Sequence, residues 1–186
     1  TAQSTYEIDL DGVIDLNYAT SGQVWLTTAE GNTLWRDLPI VIHSREAEAD
    51  TMRIVEEGIL MNGGWRASVA RRGVFHCFPG DSAMARRVIG WNFSVSIPGP
   101  VTFAEKPLKP NSMAEVVRNI PLEQILLETD CPFLTPVPHR GKRNEPSNIP
   151  LIARKIAELQ QCTVEEVGRL TTVAAQTLFG IPTHPY

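Results

Sequence analysis

Residues 125–146 read ILLETDCPFLTPVPHRGKRNEP, and this stretch decides the fold. It begins with apolar residues typical of a short buried strand, and the carboxylates Glu128 and Asp130 follow directly. A parallel strand that ends in carboxylates suits metal-assisted chemistry on a phosphate or a carbonyl. The loop that follows is rich in proline and carries three basic residues, Arg140, Lys142 and Arg143. On chemistry alone, a strand end followed by a solvated turn is an equally good interpretation.

The composition is that of a folded globular chain. The 186 residues are 42% hydrophobic and 20% charged, which suits a single domain, 1–186, with a sizeable core. The formal net charge is -4, so any affinity for nucleic acid must come from a local patch. The three cysteines are widely spaced, which favours reduced thiols, and we expect a cytoplasmic protein. No apolar run reaches the roughly 18 residues of a membrane span.

Three stretches share one pattern. PIVIH (39–43), GVFH (73–76) and ILLETD (125–130) are apolar and then end in a residue type that binds metals. Predicted helices alternate with these strands, so the fold class is α/β with mostly parallel strands. In a barrel of parallel strands the carboxyl ends meet on one face, which would bring His43, His76 and Asp130 together. Imidazole and carboxylate donors suit Zn²⁺, Mn²⁺ or a similar ion, although a single histidine is more often structural.

Helical periodicity and capping signals predict the remaining elements. Helices are expected at 46–57, where Gly58 ends the helix, at 82–89 and at 112–119, and a strand at 93–97. Further along, Ser147 is predicted to cap one helix, and Thr163 with Glu166 forms a capping box for the next. A separate last helix is predicted over 171–179, before Gly180.

These motifs resemble the TatD family of metal-dependent deoxyribonucleases, which are amidohydrolase-like barrels. The resemblance implies a distorted (β/α)8 TIM-like barrel that holds one or two divalent ions, Zn²⁺, Mg²⁺ or Mn²⁺. It is close toward the C-terminus and weak before residue 39. The matching stretches are PIVIHSREA (39–47), GVFHCFPGD (73–81), GPVTF (99–103), ILLETDCPFLTPVPHRGKRNEPSN (125–148) and TTVAAQTLFGI (171–181).

The resemblance also implies the metal ligands. His43 and His76 match the family's histidines, and Asp130 matches an aspartate that binds metal and can act in catalysis by taking a proton from water. The family's glutamate lies on a GEIGLD strand, and YEIDLD places Glu7 at that position. A rival alignment places GVIDLNY there instead, with Val13 and no carboxylate at the ligand position.

Other charged residues receive supporting roles. Glu128 is expected to hold the ligands in place rather than to act in catalysis. Arg45 is expected to reach a substrate phosphate, and a surface ion pair is an equally good interpretation of it. Arg140, Lys142 and Arg143 are expected to contact the DNA backbone.

The family's HxH strand has no counterpart in this sequence. We therefore expect the chain to correspond to the C-terminal two-thirds of a TatD-like barrel and to belong to a longer protein. The expected function is hydrolysis of DNA phosphodiester bonds, as a 3′–5′ exonuclease acting on single strands or 3′ ends. Two alternatives stay open: a metal-dependent ester or amide hydrolase, such as a deacylase of misacylated tRNA, and a non-catalytic truncated barrel that binds nucleic acid or protein.

Overall fold

The computed structural model describes residues 13–15, 39–61, 71–104 and 112–182. Within these ranges, five strands form one parallel sheet in the order β1-β2-β3-β4-β5. Each strand pairs with its neighbour in the sequence, as successive β/α units of a TIM-like barrel do. The strands are β1 (Val13–Asp15), β2 (Ile40–His43), β3 (Gly73–Phe75), β4 (Phe93–Ile97) and β5 (Ile125–Leu127).

Helices alternate with these strands, which confirms the α/β class. α1 follows β2, α2 follows β3, α3 lies between β4 and β5, and two helices follow the long loop after β5. Their bounds are α1 (Glu48–Met61), α2 (Ser82–Gly90), α3 (Ser112–Asn119), α4 (Ile149–Gln160) and α5 (Val164–Phe179). No helix in the described ranges is both long and apolar enough to cross a bilayer.

Strand side chains alternate between two packed layers. Phe75 and Val95 lie in the main core with the apolar faces of the helices. Val74 and Leu126 face the other way and pack against Leu178 of α5. The sheet is therefore covered on both faces, which explains why β4 is buried along its whole length.

The predicted bounds of the first helix are wrong at both ends. α1 begins at Glu48, not at residue 46, because Glu46 has a φ of 55°, outside the range of a right-handed helix. The helix then continues through Gly58 to Met61. A glycine inside a helix costs about 1 kcal/mol relative to alanine, which is too little to end a helix by itself.

The predicted cap at Ser147 is also wrong. Residues Pro146–Asn148 form a 3-10 turn, and Asn148 is the N-cap of α4 without a side-chain capping bond. The side chain of Asn148 instead donates to Asn144 Oδ1 at 2.8 Å. The first turn of α4 therefore relies on its proline and on packing.

The last two predicted helices are one. The capping residue Thr163 is confirmed, since its hydroxyl accepts a hydrogen bond from the Glu166 backbone N at 3.1 Å. α5 then continues without a break, so the separate helix over 171–179 is wrong. Thr171 does not interrupt it because its hydroxyl donates to Val167 O, one turn earlier, at 2.8 Å. Gly180 ends the helix with a φ of 64°.

Candidate metal centre

The ends of three strands converge at the carboxyl edge of the sheet. His43 is the last residue of β2, His76 follows β3, and Asp130 follows β5. The ring centroids of His43 and His76 are 5.6 Å apart, and His76 Nε2 lies 3.2 Å from Asp130 Oδ1. The structure thus brings together the three residues that the strand-end pattern selected.

Glu128 holds His76 from the other side of its ring. Its Oε2 lies 2.5 Å from His76 Nδ1, and its Oε1 accepts a hydrogen bond from the Cys77 backbone N at 2.6 Å. A carboxylate on Nδ1 favours the tautomer that carries the proton there, so Nε2 of the neutral ring presents a lone pair. Glu128 therefore sets both the orientation and the tautomer of His76.

The two carboxylates also change the acidity of His76. The hydrogen bond that His76 donates to Glu128 is the main reason that the pKa of His76 is raised. Burial acts in the opposite direction, and the negative charges of Glu128 and Asp130 add to the increase. The site therefore favours the charged imidazolium more than water does.

The turn after β3 depends on a serine that sequence reasoning did not select. Ser96, buried in β4, accepts a hydrogen bond from the Cys77 backbone N at 3.1 Å. Its own carbonyl accepts from Phe78 N at 3.1 Å. These bonds hold Cys77 at a φ of 46°, an uncommon conformation for a residue with a side chain. In the sequence, the available signal was a polar residue, Ser96, inside the otherwise apolar end of the predicted strand 93–97.

Cys77 itself is not poised for nucleophilic chemistry. Its thiol has a pKa raised to about 12, mainly by burial and then by the charges of Glu128 and Asp130. At neutral pH the thiol stays protonated, and a protonated thiol is a poor nucleophile. Cys77 is therefore a packing residue rather than a nucleophile.

The donor set of this edge fits part of a divalent metal site. Two ligands of one ion with bonds of about 2.1 Å are separated by about 3.0 to 3.4 Å. The 3.2 Å between His76 Nε2 and Asp130 Oδ1 falls in this range. Within the described ranges, no group of three or more His, Cys, Asp or Glu side chains is arranged to hold an ion. The pair is therefore a partial site, with His43 adjacent.

The position expected for a glutamate ligand is only partly described. Glu7 lies outside the described residues. The strand that pairs with β2 is β1, with Asp15 opposite His43 in the register of the sheet. β1 belongs to the stretch GVIDLNY, which the rival alignment assigns to the strand of the family's glutamate.

Asn144 organises the loop that begins at Asp130. Its side chain is 1% exposed and donates to the carbonyls of Thr129 and Phe133, each at 2.6 Å. Its Oδ1 accepts from Glu145 N at 2.9 Å and from the Asn148 amide at 2.8 Å. A single buried amide therefore ties the start of the loop to its end.

The same loop packs closely on the segment after β4. Val137 N donates to Thr102 Oγ1 at 2.9 Å. A Cβ on Gly99 would overlap the carbonyl oxygen of Leu134 and lie 2.9 Å from Pro136 N. Glycine at this position is what allows the two backbones to approach.

The predicted phosphate-binding residues are exposed near this edge. Arg45 lies two residues after His43. It is close enough to Cys77 that its positive charge offsets a small part of the increase in the pKa of that thiol. Arg140, Lys142 and Arg143 project from the Asn144-bound loop. The Arg140 guanidinium lies 4.3 Å from the centre of the Phe103 ring, a cation–π contact that restricts it.

Residues 33–180 match the family model of TatD-related DNases. The chain belongs to this family. The uncharacterized metal-dependent hydrolase YabD of Bacillus subtilis is 46% identical over 147 residues, which is 78% of this chain and 52% of YabD. The uncharacterized metal-dependent hydrolase TatD of Mycobacterium tuberculosis is 38% identical over 143 residues, 77% of this chain and 49% of that protein.

The crystal structure of the TatD homolog YJJV from Escherichia coli K12 matches with a TM-score of 0.66 and 25% identity. The match covers 78% of this chain and 51% of that chain. The likeness confirms the predicted TIM-like barrel architecture, of which the described sheet is a part. The chain spans about half the length of the curated relatives it matches.

Proposed function

We propose that this TatD-family protein is a metal-dependent hydrolase that cleaves DNA phosphodiester bonds as a 3′–5′ exonuclease. The observation that carries the proposal is the position of His76 between Glu128 and Asp130, at 2.5 and 3.2 Å. Membership of a family of TatD-related DNases supports DNA as the substrate.

His43, His76 and Asp130 would hold the divalent ion, with Glu7 as a further candidate. A bound divalent ion supplies Lewis acidity and lowers the pKa of water. Glu128 keeps the His76 ring in one orientation, so that Nε2 does not have to be ordered when the substrate arrives. Asp130 accepts a proton from the attacking water at its carboxylate.

The basic residues bind the phosphates on either side of the scissile bond. Arg140 is already restrained by the Phe103 ring, so less of its side-chain freedom is lost on binding. Lys142 and Arg143 add positive charge on the same loop, and Arg45 adds it beside His43. This local charge compensates for the net negative charge of the chain.

The test is nucleotide release from single-stranded DNA labelled at the 3′ or the 5′ end. Assays run with chelator alone and after addition of Mg²⁺, Mn²⁺ or Zn²⁺. We expect metal-dependent release of the 3′ label first, and no release by His76→Ala or Asp130→Asn. Matched controls are His139→Ala and Asp50→Asn, which alter exposed residues of the same types. Circular dichroism checks that all variants are folded.

Several outcomes would contradict the proposal. Wild-type rates from folded His76→Ala or Asp130→Asn would remove these residues from the site. Early release of the 5′ label would reverse the polarity. Deacylation of misacylated tRNA without any DNA cleavage would replace the phosphodiester by an ester as the substrate.

A further inference from the structure

Phe133 is a large aromatic residue exposed next to the candidate metal centre. Its side chain is 69% exposed, compared with 45% for Phe179 at the end of α5. A single exposed apolar side chain is common on protein surfaces, so the contacts around Phe133 decide whether it meets a ligand.

The backbone of Phe133 is fixed although its ring is exposed. Its N–H donates to Asp130 O at 2.9 Å, which closes a turn and keeps the two Cα atoms within about 7 Å. Its carbonyl accepts from the buried amide of Asn144 at 2.6 Å. The backbone that carries the ring is therefore held at a defined place close to Asp130.

Two residues close to Phe133 in the chain adopt a backbone conformation that L-residues disfavour. Asp130 has a φ of 55° and Leu134 a φ of 54°. For leucine in particular this is an uncommon backbone region. Strain of this kind persists where the surrounding structure holds it, and it clusters at functional sites.

The same loop supplies the positive charge that accompanies aromatic residues at single-strand binding sites. Arg140, Lys142 and Arg143 are exposed on it. A basic track that follows the backbone, together with an aromatic face for the bases, is how proteins bind single-stranded nucleic acid. Aromatic rings stack on any base, so such binding tolerates different sequences.

We propose that Phe133 is a stacking platform for the nucleobase next to the scissile phosphate. A base must leave its partner to lie on the ring, so this residue would favour the unpaired 3′ ends that the proposed function already takes as substrate. This inference rests on the proposed function and adds to it a residue that selects the substrate.

The kinetic test compares Phe133→Ala, Phe133→Leu and Phe133→Tyr. We expect KM for a single-stranded oligonucleotide to rise about 5- to 100-fold in the alanine and leucine variants. Tyrosine should restore the wild-type KM, because it keeps an aromatic face. Val137→Ala is the matched control, since it removes another exposed apolar side chain from the same loop. Its KM should not change.

Two substrates separate stacking from a general disturbance of the loop. On an oligonucleotide with an abasic site at the 3′ terminus, wild type and Phe133→Ala should have equal KM. On a duplex with a blunt 3′ end, wild type should be slower than on a 3′ overhang, and Phe133→Ala should reduce this difference.

Binding is measured without turnover in the Asp130→Asn background. A 3′-terminal 2-aminopurine changes fluorescence when it stacks on an aromatic ring. We expect quenching with Phe133 present, none with Phe133→Ala, and recovery with Phe133→Tyr.

If the wild type cleaves DNA but Phe133→Ala has the wild-type KM and quenching, the stacking role is wrong and the nuclease function stands. If the wild type cleaves no DNA, the proposed function fails first. If KM rises equally on the abasic and the normal strand, Phe133 acts on loop structure and the inference is overturned.

Discussion

The His76 ring lies between two carboxylates that have different roles. Glu128 orients the ring through Nδ1, while Asp130 faces Nε2, where a metal ion would be held. The sequence indicates Glu128 and Asp130 as a pair, two residues apart on one side of a strand that has just ended. The sequence does not indicate which carboxylate contacts Nδ1 of His76 and which contacts Nε2, because the orientation of the ring depends on the turn after β3.

The raised pKa of His76 predicts how stability depends on pH in the metal-free protein. A folded-state pKa above the unfolded value of about 6.5 stabilises the fold fully below that value. This stabilisation is lost as the pH rises through the folded-state pKa. Glu128→Gln removes the main cause of the raised pKa of His76. The free energy of unfolding of this variant should therefore fall further below that of the wild type near pH 6 than near pH 9.

Urea unfolding in the presence of chelator measures this difference at each pH. Glu145→Gln is the control, because it neutralises an exposed carboxylate near the end of the loop that follows β5. A difference between wild type and Glu128→Gln that is constant over this range would show that His76 does not titrate against Glu128.

At the scale of elements, the loop after β5 depends on Asn144 more than on any of its charged residues. Asn144→Ala should lower the free energy of unfolding by about 2 to 4 kcal/mol, because it removes the buried donor that the carbonyls of Thr129 and Phe133 share and the acceptor of two further bonds. Asn119→Ala is the matched control. Its amide also bonds a backbone carbonyl, that of Glu115, but at an exposed helix end, so we expect a change below about 0.5 kcal/mol.

Urea unfolding measures the two free energies, and trypsin cleavage after Arg140, Lys142 and Arg143 reports the order of the loop. Asn144→Ala should be cleaved faster than wild type and Asn119→Ala at the wild-type rate. Equal cleavage of all three proteins would mean that other contacts hold the loop.

Elements of this fold could be predicted to the extent that local patterns determine them. The strands β2 and β5 were predictable because an apolar run ended abruptly in polar residues, although β5 ends at Leu127, before the carboxylates. The start of α1 was not, since the left-handed φ of Glu46 has no signature in glutamate. The unbroken α5 was also missed, because a threonine such as Thr171 is a typical N-cap residue and suggests the start of a new helix. In the structure its hydroxyl donates to Val167 O within the same helix.

For the whole molecule, a divalent ion that binds the folded state should raise its thermal stability. A metal concentration about 100 times Kd gives about 2.7 kcal/mol, which for a chain of this size raises Tm by roughly 5 to 10 °C. His76→Ala and Asp130→Asn should lose most of this shift, while Asp50→Asn should keep it. The measurement is a thermal scan of chelator-treated protein, before and after addition of Mn²⁺ or Zn²⁺. An equal shift in all variants would place the binding elsewhere.

The architecture of the molecule could be predicted from the sequence more completely than the full set of site residues. Parallel strands that follow one another in the sequence bring their ends together regardless of detail, so His43, His76 and Asp130 could be grouped in advance. The ligand expected from Glu7 could not be grouped in this way. Two neighbouring stretches have strand-like patterns, and a shift between them changes which side chain would meet the edge.

Gly99 sets a limit on how the sequence of this protein can drift. Every replacement there adds a Cβ that overlaps the carbonyl of Leu134, whereas a Cβ at Gly168 in α5 meets no other atom within 4 Å. The two glycines therefore differ in mutational tolerance, although each is one of thirteen in the chain. In a library of random variants, substitutions at position 99 should be lost on selection for folded protein, while those at position 168 should be retained. Position 99 is where the loop after β5 packs against the segment that follows β4.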